Sequence, residues 1–139
     1  MKTLLLTFGL LSSSFFAFNQ NLNIGDSYQG GIVAYLEPSG EFGFIAATSD
    51  QSTSAQWGCY GSSIPGANSL TIGAGDNNTT AIVSSCVDAG IAAKICDNLT
   101  LGGYSDWYLP SKDELSQLYQ NKIAIGGFAN DLYWSSSQD

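Results

Sequence analysis

Residues 102–115 constrain the fold most, because a glycine turn, an aromatic strand, a proline and a helix start follow one another there. Ser111 and Glu114 have the spacing of a capping box, in which each side chain accepts a hydrogen bond from the other residue's backbone N–H. Pro110 favours an extended residue before it, so the sequence predicts a strand over residues 107–109. These residues therefore predict a strand that leads directly into a capped helix, and they indicate a structural role rather than a ligand site.

The first twenty residues have the pattern of a secretory signal peptide. Lys2 supplies a positive start, the run 4–11 is apolar apart from one Thr and one Gly, and the cleavage site is expected between Ala17 and Asn21. A buried N-terminal helix is the alternative. A membrane anchor is disfavoured because serines 12–14 interrupt a run shorter than the roughly 20 residues that a span needs. We therefore expect residues 1–20 to be a signal peptide, residues 21–139 to form the exported domain, and no membrane insertion after cleavage.

The charge of the chain excludes several classes of partner. Four Lys and Arg residues stand against twelve Asp and Glu, which gives a formal net charge of −8. Such a chain cannot neutralise phosphates as nucleic-acid-binding proteins do, and anionic membranes would repel it. It contains no His and no closely paired Cys, so we expect neither a metal site nor a cofactor.

Export favours a disulfide among Cys59, Cys86 and Cys96. Cys86 and Cys96 are predicted to share one helix, where ten residues would separate them by about 15 Å. This distance is too long for a bridge, so Cys59 is expected to pair with one of the two. We favour the pair of Cys59 and Cys86.

The periodicity predicts few regular elements. A hairpin is predicted with a strand over residues 28–36, a type I turn at 37–40 and a returning strand over 41–48. One long helix is predicted over residues 80–99, capped by Asn78 or Thr79, and a shorter one ends near Lys122. Residues 131–137 have the composition of a last strand, which would have to pair with the early hairpin.

Residues 49–78 form a long predicted loop that carries the candidate ligand-binding residues. Trp57 and Tyr60 flank Cys59 in this loop and could stack on a sugar or a peptide. The alternative is that Trp57 fills the core beside the disulfide. Residues 76–79 resemble part of a calcium loop, but they lack the remaining ligands and are better explained as a helix start.

Two segments together resemble a known family. The run Gly-Tyr-Ser-Asp-Trp-Tyr-Leu-Pro-Ser-x-x-Glu-Leu at 103–115 and the run Tyr-Trp-Ser-Ser-Ser at 133–137 are similar to the Lcl C-terminal-domain family. This family is named after a bacterial collagen-like surface adhesin. Gly31-Ile32-Val33 with Tyr35, and the Ala-rich segment with Cys86 and Cys96, also fit the resemblance, which covers about residues 25–137. The scaffold residues that match the family are Asp106, Trp107, Pro110, Glu114 and Trp134.

The resemblance implies an α+β protein with a C-type-lectin-like fold, in which two helices pack on a small, mostly antiparallel sheet with long loops. It also implies an exported bacterial protein that is secreted or held at the cell surface. Its function would be adhesion or ligand binding, without catalysis, and the ligand would be a glycan or another surface protein. Family members usually continue into further strands, so residues 21–139 are expected to be an incomplete domain of this kind.

Two other functions remain open at this point. The chain could be a truncated fragment or a structural piece of a larger envelope protein. It could also be an enzyme, since formylglycine-generating enzymes share the lectin-like fold. Catalysis is disfavoured because no motif matches their cysteine chemistry, and because Cys96 has only Lys94 as a basic neighbour in sequence.

Overall fold

The computed structural model describes residues 5–7 and 21–138, and they form a mixed α+β structure. It contains five strands: β1 (Leu5–Thr7), β2 (Ser27–Tyr28), β3 (Gly31–Leu36), β4 (Gly43–Ala46) and β5 (Trp107–Tyr108). It contains four helices: α1 (Gly75–Ser85), α2 (Ala92–Asp97), α3 (Lys112–Gln120) and α4 (Lys122–Ile125). The predicted fold class is therefore confirmed as α+β, but four helices are present in the described residues instead of two.

The predicted hairpin is confirmed as β3 and β4. The N–H of Gly40 donates to the carbonyl of Glu37 at 2.9 Å, which closes the predicted turn. A second tight turn joins β2 to β3, with positive φ at Gln29 (48°) and Gly30 (86°), as two-residue hairpins require. A Cβ on Gly30 would lie 2.6 Å from the Cα of Gly102, so this turn packs backbone to backbone against residues 101–102.

The strands form one sheet in the order β2-β3-β4-β1-β5, and every paired strand runs antiparallel to its neighbour. β1 lies inside the predicted signal peptide, and the rest of that peptide falls outside the described residues. Leu5–Thr7 is in register with β4 on one side and with β5 on the other. The two strands β4 and β5 are therefore parallel to each other and separated by β1.

The sheet is buried on both faces, so the protein has two hydrophobic cores. One core contains Val33, Ile45 and Trp107 with residues of α1 and α2. The other contains Phe44 and Tyr108 with residues of α3 and α4. Because consecutive strand residues point to opposite faces, the adjacent Trp107 and Tyr108 each anchor a different core.

The predicted helix over residues 80–99 is wrong, because the chain is extended at Cys86 and forms two helices instead of one. Cys86 has φ −110° and ψ 133°, and its sulfur bridges to Cys59. The N–H of Gly90 then donates to Asp88 Oδ1 at 2.8 Å, which is a local turn that competes with helix. The predicted cap is also wrong, since α1 begins at Gly75 and holds Asn78 and Thr79 inside its first turns.

The predicted strand over residues 131–137 is wrong, because these residues join no strand of the sheet. They instead run between the long loop and α3. The N–H of Ser136 donates to the carbonyl of Pro110, and the N–H of Gln138 donates to the carbonyl of Ala67, each at 2.6 Å. This part of the chain therefore ties loops together and does not extend the sheet.

Candidate ligand pocket

A pocket of about 360 Å³ lies between two segments that are far apart in sequence. The first is the disulfide loop, residues 55–64, and the second is the C-terminal segment, residues 134–138. The predicted disulfide between Cys59 and Cys86 is confirmed and fixes the disulfide loop to the end of α1. The pocket is lined by Gln56, Trp57, Gly58, Cys59, Tyr60, Gly61, Ser62, Trp134 and Gln138.

Two indole groups cross between the segments and hold them together. Trp57 Nε1 donates to the carbonyl of Ser135 at 2.7 Å, and Trp134 Nε1 donates to the carbonyl of Ala55 at 3.0 Å. Both rings also pack against the core that contains Trp107. The indole N–H groups are thus used within the protein, which fixes the position of the two rings.

The amide of Gln138, a polar group of the wall, is also satisfied within the protein. Gln138 Oε1 accepts from the N–H of Ile64 at 2.7 Å, and Gln138 Nε2 donates to the carbonyl of Ser62 at 2.8 Å. The residues that line the pocket include no Asp, Glu, Lys or Arg. The described lining therefore presents fixed aromatic surface without charge.

Tyr60 stands out because its side chain is fully exposed although its neighbour Cys59 is bridged. Val87, which follows the other half of the disulfide, is 98% exposed. Among these exposed groups Tyr60 lines the pocket, and an exposed aromatic group at a concave surface is a common mark of a binding site. The two predicted ligand-binding residues, Trp57 and Tyr60, line one pocket, and Trp57 also contributes to the core as the alternative supposed.

Sequence reasoning missed two residues of this region. Trp134 was assigned to the scaffold, but it lines the pocket opposite Trp57. Gln138 was not singled out, although its amide joins the two segments. The clue available in the sequence was that Trp57 and Tyr60 occur in a segment with no helical or strand pattern, whereas Trp134 lies in a segment that was predicted to be a strand.

The other predicted scaffold residues lie around the start of α3. Trp107 and Pro110 are buried, whereas Asp106 is exposed. Glu114 is fully buried and completes the predicted capping box with Ser111, which is confirmed. A Cβ on Gly75 would collide with the Glu114 carboxylate and the Tyr108 ring, so Gly75 is a further scaffold residue that the sequence analysis missed.

Two other features could in principle form a functional site: the Cys96 thiol and a second cavity. Cys96 is buried, and its burial and the charge of Asp97 both raise the pKa of its thiol. A second cavity, of about 440 Å³, lies between α3 and residues 128–133, with Lys112 and Lys122 in its wall. Among the described residues, no three Cys, Asp or Glu side chains come together as a metal ion would require, and no helix is long and apolar enough to cross a membrane.

No family model, curated protein or solved structure matches this chain. The lectin-like fold and the family resemblance therefore rest on the sequence motifs alone.

Proposed function

We propose that this protein is an exported, non-catalytic bacterial binding module of the Lcl C-terminal type, with a lectin-like fold, and that its aromatic pocket binds a neutral glycan. The observation that carries the proposal is the uncharged pocket between Trp57 and Trp134, whose ring positions are fixed by their own N–H groups. Because the walls are held in place before binding, a ligand would lose little affinity to side-chain ordering.

A sugar ring fits this chemistry well. One face of a pyranose carries mainly C–H groups, which gain by leaving water for an aromatic surface. Tyr60 would cover the ligand from the open side, and its hydroxyl would meet the sugar hydroxyls. The absence of charge from the described lining favours a neutral glycan over an acidic one.

Export is supported by the confirmed disulfide, since such bonds persist in oxidising compartments. A non-catalytic role is supported by the state of Cys96. A thiol becomes a nucleophile through its thiolate, and burial disfavours that form here.

The test is a glycan array probed with the oxidised protein, followed by titration of the best sugar. Tyr60→Ala should weaken binding about tenfold, as expected for loss of one aromatic contact worth about 1.4 kcal/mol. The matched control is Tyr119→Ala, which removes another exposed tyrosine, on α3 and outside the pocket. The proposal fails if no neutral glycan binds, or if both variants bind as the unaltered protein does.

A structural piece of a larger envelope protein is the second candidate function. One observation favours it: within residues 21–138, β4 and β5 do not pair with each other, and only residues 5–7 fill the space between them.

A further inference from the structure

The position of β1 in the sheet is unusual for a segment with the sequence of a signal peptide. Leu5 is in register with Ala46 of β4 and Tyr108 of β5, and Leu6 is in register with Ile45 and Trp107. β1 is thus an interior strand. We call the space that it fills, between β4 and β5, the strand slot.

Both sides of the strand slot are apolar and buried. All four residues of β4 and both residues of β5 are buried. Ile45 and Trp107 face one core, whereas Phe44 and Tyr108 face the other. A strand in this slot must therefore be apolar at consecutive positions, as buried strands are, and not at every second position.

Removal of β1 would leave a row of backbone N–H and C=O groups on β4 and β5 without strand partners. Buried backbone groups are almost always paired, so the slot would need a new strand. In residues 21–138 no further strand is available to pair with β4 and β5 in place of β1. β2 to β5 already belong to the sheet, and the C-terminal segment is held by Ala67 and Pro110.

We propose that, once residues 1–20 are removed on export, the strand slot binds an extended apolar segment of another polypeptide. The segment adds as a strand antiparallel to both β4 and β5, and main-chain hydrogen bonds supply its affinity. It has at least three consecutive apolar or β-branched residues and no proline, as in the Leu-Leu-Thr of β1. The proposal rests on the export part of the proposed function and is independent of the glycan.

The experiment starts from the full chain with a protease site inserted between Gln20 and Asn21, which is cleaved after folding. A fluorescent peptide of residues 3–9 is then added, and its binding is followed by anisotropy. We expect it to exchange into the slot and to raise the melting temperature of the cleaved protein. The same peptide with Leu6→Pro should bind at least tenfold more weakly, because proline lacks the N–H that the ladder needs.

Hydrogen exchange locates the binding. Amides of residues 43–46 and 107–108 should lose protection when the 1–20 fragment is washed away and regain it with the peptide, while amides that pair β2 with β3 change little. Equal binding of the two peptides, or unchanged exchange at residues 43–46, would overturn the proposal. A dimer that forms on fragment loss and excludes the peptide would also overturn it and assign the slot to a second copy.

Failure of the two proposals can be told apart. The intact mass of the exported protein shows whether residues 1–20 are removed, and retention of these residues would overturn this proposal. Loss of glycan binding in Tyr60→Ala concerns only the pocket and leaves peptide binding at the slot unchanged.

Discussion

The start of α3 and the aromatic pocket both contact the C-terminal segment, but they differ in what they contain. The start of α3 buries hydrogen-bonded polar groups, whereas the pocket exposes aromatic surface. At α3, Ser137 Oγ accepts from the N–H of Lys112 at 3.0 Å and donates to the carbonyl of Ser69 at 2.7 Å. In the pocket, Ser135 accepts the N–H of Trp57 through its carbonyl. The C-terminal segment therefore contributes both to a buried polar cluster at the start of α3 and to the wall of an open apolar pocket.

In the α3 cluster, backbone N–H groups and a hydroxyl donate to the buried Glu114 carboxylate. Glu114 Oε2 accepts from the N–H of Ser111 at 2.7 Å, and Oε1 accepts from the N–H of Gly73 at 2.8 Å and from the Tyr108 hydroxyl at 3.3 Å. The carbonyl of Leu70 accepts the N–H of Asp113 at 2.9 Å, so the free amides at the helix start find partners. Nothing is left here for a ligand.

The pocket differs because its indole N–H groups and the Gln138 amide are satisfied within the protein, while its aromatic surface stays exposed to solvent. Exposed apolar surface is unfavourable for the free protein, so a cavity that retains it is a better candidate for binding than a buried carboxylate. In this protein the start of α3 combines burial with hydrogen-bonded polar groups, as expected of a scaffold, whereas the pocket retains exposed aromatic surface, as expected of a ligand-binding surface.

Substitution in the strand that leads into α3 should destabilise the protein most. Trp107 is 1% exposed and packs with Val33 and Ile45, so Trp107→Ala should lower the free energy of unfolding by about 3–5 kcal/mol, close to the total stability of a small domain. Urea denaturation and the melting temperature measure this. Trp107→Phe should cost less, and an unchanged melting transition in Trp107→Ala would contradict the packing role.

The next effect is on the covalent anchor of the pocket. The disulfide closes a loop of 27 residues, so the double variant Cys59→Ser with Cys86→Ser should lose about 3.5 kcal/mol of stability. Its unfolding should no longer respond to dithiothreitol, whereas that of the unaltered protein should. The same unfolding midpoint with and without reductant in the unaltered protein would argue against the bridge.

Glu114→Gln tests the buried polar cluster at the start of α3 directly. The variant keeps the shape of the side chain but turns an amide N–H₂ towards groups that donate hydrogen bonds, which should cost about 2–3 kcal/mol. The control is Asp113→Asn at the neighbouring exposed carboxylate, which should change stability by less than about 0.5 kcal/mol. Equal effects of both changes would show that the buried hydrogen bonds of Glu114 contribute no more to stability than an exposed carboxylate does.

Alkaline pH should weaken the fold through two buried acids. Burial first, and then the charge of Glu114, raise the pKa of the Tyr108 hydroxyl, while burial and Asp97 raise that of Cys96. Each group keeps its proton in the folded protein but loses it when unfolded. Stability is therefore complete below pH 9 and falls as pH rises above the ordinary pKa values of 9.0 for the thiol and 10.0 for the phenol.

Each group contributes a loss of at most about 1.4 kcal/mol per pH unit above its ordinary pKa. Urea midpoints between pH 8 and 10.5 measure the slope. Tyr108→Phe should flatten it above pH 10 and Cys96→Ala should flatten it above pH 9. A slope that neither variant changes would show that other groups cause the loss.

The smallest expected effect on stability is in the pocket. Tyr60 is fully exposed, so Tyr60→Ala should change the free energy of unfolding by less than about 0.5 kcal/mol, although the same change should weaken glycan binding. Denaturation and sugar titration of the same sample provide the contrast. A large loss of stability in Tyr60→Ala would remove the distinction between scaffold and ligand surface.

The features that sequence predicted correctly are local. The turn at residues 37–40 and the capping box of Ser111 and Glu114 depend on residues a few positions apart. The pairing of Cys59 with Cys86 was predicted correctly, but one step of the reasoning was wrong. That step placed Cys86 and Cys96 in one helix, and the structure shows that they do not share a helix. The break after Ser85 was missed because the apolar spacing continued, while Asp88 and Gly90 formed a turn whose chemistry was overlooked.

The hairpin and the capped helix follow from the sequence alone, because turn and cap hydrogen bonds close within three or four residues. The pairing of Cys59 with Cys86 depends on tertiary structure, which brings together two residues 27 positions apart. The position of the pocket depends on contacts between distant parts of the chain. Two hydrogen bonds join its walls, and they connect residues that are separated by 78 and by 79 positions in the sequence. Hydrophobic periodicity does not predict contacts over such separations. The place of β1 was decided in the same way, since a short apolar run is compatible with a signal peptide and with a strand until its neighbours are known.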